Sequence, residues 1–441
     1  MSQPNIIYLH SHDTGRYVQP YGYAVSTPNI QNLAEEGMLF RRAFSAAPTC
    51  SPSRAALLTG QSPHASGLIG LAHRGFRLND PSQHLATVLR NGGYRTALLG
   101  FQHVTSGNPS ELGYTDLMEP NEDGIAALVP KVGRFLDNHL ANRPDEPFFH
   151  DVGAFETHRD FPEGFGDAGQ YVRPPAPIPD GQVTRHDMVR YIESARRLDD
   201  GYGRILDLID RTGLRDNTLV VCTTDHGVPF PSMKCTLTDH GIGVLLIVRG
   251  PGGFEGGKVI DALVSQIDLM PTLSELAGIV RPEWATGTSL APLARGEVDA
   301  IHEEVFAEVT WHAAYEPQRS IRTDRYAYIR RWGDRGRPVL SNIDDSETKT
   351  HLFDRGLADR PVHSEQLYDV VFDPNQAHNL IADPRLKGMR EHLAGRLRQW
   401  MEETGDPLLA GEVSLPPGAS VNDPDAHSAR EHLRSGGDLP L

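Results

Sequence analysis

Four apolar runs, each closed by a polar cluster containing histidine or aspartate, constrain this chain more than any other feature. Asn5 to Ser11 (Asn-Ile-Ile-Tyr-Leu-His-Ser) leads straight into His12-Asp13, and Tyr94 to Leu99 is followed by Gln102-His103. Phe148 to Gly153 is followed by Glu156-Thr157-His158, and Leu219 to Thr223 by Asp225-His226-Gly227. Short continuous apolar runs, without polar alternation, read as strands buried on both faces. Helical patterns lie between them: Thr27-Pro28 opens a helix that stops at Gly37, Leu85 to Arg90 ends at Gly92-Gly93, and Val132, Phe135, Leu136 and Leu140 form a stripe. Thr184-x-x-Asp187 resembles a capping box opening a long helix to about Gly213. Met38 to Phe44 and Gly243 to Val248 are further strands, and Asp268 to Ala277 a further helix. This alternation predicts an α/β fold, a mostly parallel sheet sandwiched by helices. Ligands of such sheets gather outside the carboxyl ends of the strands, so the four polar clusters converge on one site.

Past residue 300 the pattern changes. Glu304 to Thr310, Ser320 to Arg322 and Arg325 to Arg331 are short alternating strands, followed by a helix from Pro384 to about Glu402. They predict a smaller C-terminal antiparallel α+β subdomain, dividing the chain into 1–300, 301–405 and a loose Gly-, Pro- and Asp-rich arm, 406–441. The 441 residues suit such a large unit beside a small one. The 58 acidic residues against 42 basic, a net charge of −16, exclude nucleic acid and anionic membrane as natural partners. No apolar run approaches the roughly 20 residues of a membrane span. Three cysteines are too few, and odd in number, for a disulfide framework. With no basic leader ahead of the first strand, the expected location is cytoplasmic. Homo-oligomerisation is left open.

One stretch carries chemistry by itself. Cys50-Ser-Pro-Ser-Arg54 continues Ala-Ala-Leu-Leu-Thr-Gly60. Ser51 suits an N-cap, Pro52 the first helical position and Gly60 the stop. That places Cys50 just before a helix N-terminus, where free amides and the helix dipole favour an anion, with Arg54 returning one turn later. A buried cysteine beside a well-capped helix would also look like this.

The eleven residues from Cys50 to Gly60 resemble, without a gap, the signature of the type I sulfatases, and the likeness runs over most of the chain. Glu308-Val309-Thr310 and Arg319 to Thr323 resemble the sulfamidase branch (heparan N-sulfatases), and Gln366-Leu-Tyr-Asp369 the sulfatase C-terminal subdomain. The resemblance implies an alkaline-phosphatase-like architecture. It also implies oxidation of Cys50 to formylglycine by a formylglycine-generating enzyme, the hydrated aldehyde being the nucleophile. One divalent metal ion is implied, calcium foremost, with manganese, magnesium or zinc as alternatives, held by Asp13, His12, Asp225 and His226. Catalytic roles fall to Cys50, Arg54, His103, His158 and Lys234. The substrate, an organic sulfate ester or sulfamate such as that of a sugar, is expected against the Phe161 to Gln182 loop, His64, Trp311 and His312. The sequence departs from the family pattern twice. His12 stands where an acid is usual, and imidazole suits manganese, zinc or iron better than calcium. Phe101 stands where a lysine is usual, so the two changes offset each other in charge. A phosphonate monoester or phosphodiester hydrolase, and an inactive metal-binding homologue, are the alternatives.

Overall fold

Residues 3–118, 124–164 and 166–435 are described by the structure, a computed structural model. Eight strands form the main sheet: β1 (Asn5–Ser11), β2 (Met38–Phe44), β3 (Arg95–Gly100), β4 (Asp116–Leu117), β5 (Phe148–Gly153), β6 (Thr218–Thr224), β7 (Leu246–Arg249) and β8 (Lys258–Ser265). Their order is β4-β3-β5-β1-β6-β7-β2-β8. Neighbours run parallel except at β7, which opposes both β6 and β2. All of β1 is buried, and its side chains alternate as a pleated strand requires. Ile6 and Tyr8 pack with Leu57, Leu58 and Met270 on one face; Ile7 and Leu9 pack with Ile30, Val132 and Leu198 on the other. The mostly parallel sheet between helical layers is thus as expected. Where β3 and β5 end, the backbones nearly touch. A Cβ at Gly153 would meet the Phe101 carbonyl at 1.8 Å and the His10 ring at 2.6 Å, so only glycine lets these turns converge.

Four antiparallel strands, β9 (Glu304–Trp311), β10 (Tyr315–Thr323), β11 (Tyr326–Arg331) and β12 (Glu365–Asp369), form the smaller sheet. Val305, Ala307 and Val309 on one face pack against Phe44 and Leu263 of the main sheet. Ile321, Tyr328 and Leu367 on the other meet Leu393, Leu397 and Met401 of the Lys387–Thr404 helix. Residues 406–435, expected with the rest of 406–441 as a loose arm, are instead built in. Asp406 pairs with Arg319 at 2.5 Å, Ala419 and Val421 join the main core, and Asn422 accepts from Arg74 at 2.7 Å. Asn422 also closes the short ribbon of β13 (Ser420–Asn422) and β14 (Leu433–Ser435). Turn-rich composition hid these few anchors, because each finds its partner far away in the chain.

Two local expectations change. The long helix runs Gln182–Arg211, and its Asp187 turns from the helix start to bind both ends of the Arg159 guanidinium, at 2.7 and 2.8 Å. Within the Phe161–Gln182 segment, Phe161 and Ile178 are buried against Tyr191 and Phe230, so part of this loop is core. Among the described residues no helix is long and apolar enough to cross a membrane.

Candidate active site

Cys50 is the first residue of the Cys50–Thr59 helix, and Gly60 ends it in the left-handed conformation at φ +70°. Thr49, not Ser51, occupies the N-cap position; the Ser51 hydroxyl instead accepts from the Ala72 amide at 3.0 Å. Cys50 is buried, its Sγ 3.3 Å from His226 Nε2 and 4.0 Å from Asp13 Oδ1. Burial pushes its thiol well above the ordinary range, so the unmodified side chain stays protonated and is a poor nucleophile.

Asp13 follows β1 with a left-handed backbone, φ +58°, and His103 follows β3 at φ +56°. Both are conformations that a side chain adopts only when its surroundings enforce them. The Asp13 amide donates to Asp225 Oδ1 at 2.8 Å, locking the two acidic turns together. His12 Nδ1 lies 2.8 Å from Asp13 Oδ1 and 3.3 Å from Asp225 Oδ2. His226 Nδ1 can only donate to the Gly227 carbonyl, at 2.9 Å. In the neutral ring its Nε2 lone pair then faces Asp13 Oδ1 at 3.1 Å, a repulsive contact unless a cation lies between. Ligand atoms of His12, Asp13, Cys50 and Asp225 all fall within 4.8 Å of one another. Burial alone would raise both carboxyls, yet Lys234 beside Asp13, and His226 and Arg54 beside Asp225, hold both well below the usual range. Burial drives the His12 pKa down to about 3, leaving it neutral and free to act as a ligand. These donors fit a divalent cation.

Two fixed positive charges flank the acids. Lys234 Nζ bridges Asp13 Oδ2 at 2.8 Å and Asp344 Oδ2 at 3.0 Å. Although burial opposes it, these two carboxylates keep the ammonium pKa well above its usual value. Arg54 donates to Asp225 Oδ2 at 3.0 Å, the Ser11 carbonyl at 2.9 Å and His10 Nδ1 at 2.5 Å. Behind it, His10 Nε2 donates to Asp151 at 2.7 Å, and Tyr114 donates to the other Asp151 oxygen at 2.5 Å. His10, Asp151 and Tyr114 are buried, so the guanidinium is clamped from behind. Three carboxylates, the buried Asp13 and Asp225 and the half-buried Asp344, against Lys234 and Arg54 leave one negative charge. A divalent ion would turn that into one positive, matched to a monoanionic sulfate.

The strand-end clusters do meet. The His12 ring lies 4.5 Å from His158, 5.8 Å from His103 and 4.9 Å from Phe101. His158 Nε2 is 3.9 Å from Asp13 Oδ2. Burial lowers the His103 pKa well below its usual value, and His103 Nε2 bonds to His73 Nδ1 at 2.8 Å. His312 is buried beside the site: burial first, then Lys234, hold it neutral, and its Nδ1 has no partner among the described residues. His64 is not brought in. Its ring is 1% exposed and spends its Nδ1 on Glu308 at 2.8 Å, within a buried group that includes Arg319 and Asp406. Trp311 packs between Phe76 and Tyr315. Asp344 and His10 were missed. Asp344 sits in Asn-Ile-Asp-Asp with no motif around it, and His10 reads as one more residue of a buried strand; the histidine inside an apolar run was the available signal.

The fold is alkaline-phosphatase-like. The chain belongs to the sulfatase family: the family profile described as sulfatase matches residues 4–279, and one described as N-sulphoglucosamine sulphohydrolase, C-terminal, matches 233–352. It is 29% identical to human N-sulphoglucosamine sulphohydrolase over 88% of this chain and 87% of that protein. It is likewise 29% identical to an ulvan-active sulfatase of Formosa agariphila, over 94% of this chain and 83% of that one. A solved structure described as a 2-O GAG sulfatase superposes with a TM-score of 0.72 at 22% identity, covering 97% of this chain and 99% of its own.

Proposed function

We propose that the chain hydrolyses the sulfate ester or sulfamate of a sugar, with Cys50 converted to formylglycine and one divalent ion held by Asp13, Asp225, His12 and His226. The S–O or S–N bond would break with a hydroxyl of the hydrated aldehyde as the new oxygen on sulfur, the departing atom taking a proton; loss of sulfate by C–O cleavage would leave the aldehyde, which water hydrates again. The observation that supports this best is the position of Cys50, at the first turn of a helix against two buried aspartates and His226. Formylglycine supplies a hydrated aldehyde as nucleophile, and a bound divalent ion lowers the pKa of a neighbouring hydroxyl. Arg54 and Lys234 present fixed charge to the sulfuryl oxygens in a dry site, where it counts most. Lys234 is already engaged by Asp13 at 2.8 Å and Asp344 at 3.0 Å, so its part is to hold charge in place. His158, 28% exposed and at the edge of the acids, is the proton donor to the leaving atom. His103, held neutral, accepts a proton when sulfate is expelled.

Two imidazoles among the donors favour an ion that takes nitrogen as well as oxygen, manganese or zinc over calcium. The experiment is sulfate release from sulfated monosaccharides and sulfamates with calcium, magnesium or manganese added, beside mass spectrometry of the Cys50 peptide. Release that requires an aldehyde at position 50 supports the reading. Faster turnover of an aryl phosphonate than of any sulfate, or full activity with an intact thiol, overturns it.

A further inference from the structure

Beyond the acids, the wall of the site is built of rings. Phe101 lies 5.5 Å from Phe155, edge to face at 80°, and 4.9 Å from His103. Phe155 in turn lies 5.7 Å from His12 and 4.9 Å from His158. Yet Phe155 is 41% exposed, an unusual solvent-facing placement for a phenyl ring so close to a buried charged centre. His73 stacks on His103 at 14° and 5.1 Å. Their 2.8 Å N···N bond needs one unprotonated nitrogen, so this pair adds at most one charge to the wall.

Four cations near this wall, Arg54, Lys234, Arg159 and Arg74, are already committed, and His158 is reserved for the leaving atom. Arg54 and Lys234 are buried on Asp225, Asp13 and Asp344, which equips them for one sulfate. Arg159, next to His158, is bound at both ends by Asp187. Arg74, next to His73, is spent on Asn422 and the carbonyls of Ala313 and Ala429. A second anionic group on the substrate would therefore lose its water without gaining a free partner from these residues, which is costly. An uncharged ring has no ionic group to desolvate and gains contact area on the phenyl faces.

Resting on the sulfatase reading, we propose that Phe101 and Phe155 seat the leaving group and that this group is an uncharged ring, aryl or sugar, carrying no acid besides the scissile sulfate. The test compares kcat/KM within two pairs on the metal-loaded full chain: 4-nitrophenyl sulfate against 4-sulfooxybenzoate, and glucosamine N-sulfate against glucosamine 2-N,6-O-disulfate. The singly charged member of each active pair is expected to win by about tenfold or more. A lead for the aryl pair over the sugar pair, or the reverse, tells which ring is the natural one. Phe155→Ala, an exposed site that should fold, is expected to raise KM for the uncharged members about tenfold with kcat little changed, and Phe155→Lys to narrow or reverse the preference. Equal or better turnover of the doubly charged members overturns the inference while leaving the sulfatase reading in place. So does a Phe155→Ala variant with unaltered KM. Sulfate release from none of the four overturns the sulfatase reading itself.

Discussion

Two side chains that depart from the family pattern, His12 and Phe101, lie ring to ring at 4.9 Å. One removes a negative charge and the other a positive one, so their effects should not add. In a double-mutant cycle, His12→Asp and Phe101→Lys are each expected to lower kcat/KM at least about tenfold, and the pair to recover most of it; independent effects would refute the coupling. The clamp behind Arg54 makes a second prediction at this scale. His10→Leu removes the acceptor at Nδ1 and frees the guanidinium, whereas His10→Asn keeps an acceptor there. His10→Leu is expected to lower kcat about tenfold to a hundredfold with little change in KM, and His10→Asn to restore much of the loss. Equal loss in both variants, tracking their melting temperatures, would reduce His10 to a packing residue. These two residues also mark what the sequence discloses. The Cys50 to Gly60 run, Asp13, Asp225 and Lys234 are legible because their segments resemble the family's motifs. Asp344, 110 residues beyond the lysine it binds, has no local spacing to read.

At the scale of elements, strand ends do most of the positioning. β1, β3, β5 and β6 each deliver one cluster, as their apolar runs foretold, while the smaller sheet is tied on by charge. Arg319 on β10 pairs with Glu308 on β9 at 2.9 Å and with Asp406 past the Lys387–Thr404 helix at 2.5 Å. His64 completes the group from the main domain. A pairing between β9 and the Cys50 side of the main domain cannot be read from either segment alone, which is why His64 looked like a substrate contact. Arg319→Met leaves two acids buried with too few cations and is expected to cost about 3–5 kcal/mol in denaturant unfolding. The pH dependence follows from the same group. Burial opposes both charges, but Arg319 and His64 bring the Glu308 pKa down to about 2, and Glu308 raises that of His64. The Glu308 contribution is present above its unfolded value of 4.5 and is lost as pH falls towards about 2. The His64 contribution is complete below its unfolded value of 6.5 and is lost as pH rises through its raised folded value. Stability should therefore decline on the alkaline side in the parent and be flatter there in His64→Gln; parallel curves would refute this.

For the whole molecule, the segment 406–435 is structural. Removing residues 406–441 deletes Asp406 from Arg319, two apolar residues from the main core and the Asn422 partner of Arg74. The truncated chain is expected to lose cooperative unfolding or fall out of solution, read by circular dichroism and light scattering. A truncated protein with the parent melting temperature would show these contacts to be idle. Metal supplies a second whole-molecule test. Chelation should lower the melting temperature, because an ion that binds only the folded chain stabilises it by mass action. The purified protein is expected to retain manganese or zinc rather than calcium, and His12→Asp to shift that retention towards calcium.

Phe101 and Phe155, the latter open to water, share their turns with His103 and His158, whereas Cys50 and Arg54 stand on a separate helix. Receptacle and proton carriers are thus mounted together, apart from the nucleophile. Evolution, or a protein engineer, that edits either turn for a new cargo has to keep its histidine in place, while the helix that bears the cutting tool stays undisturbed.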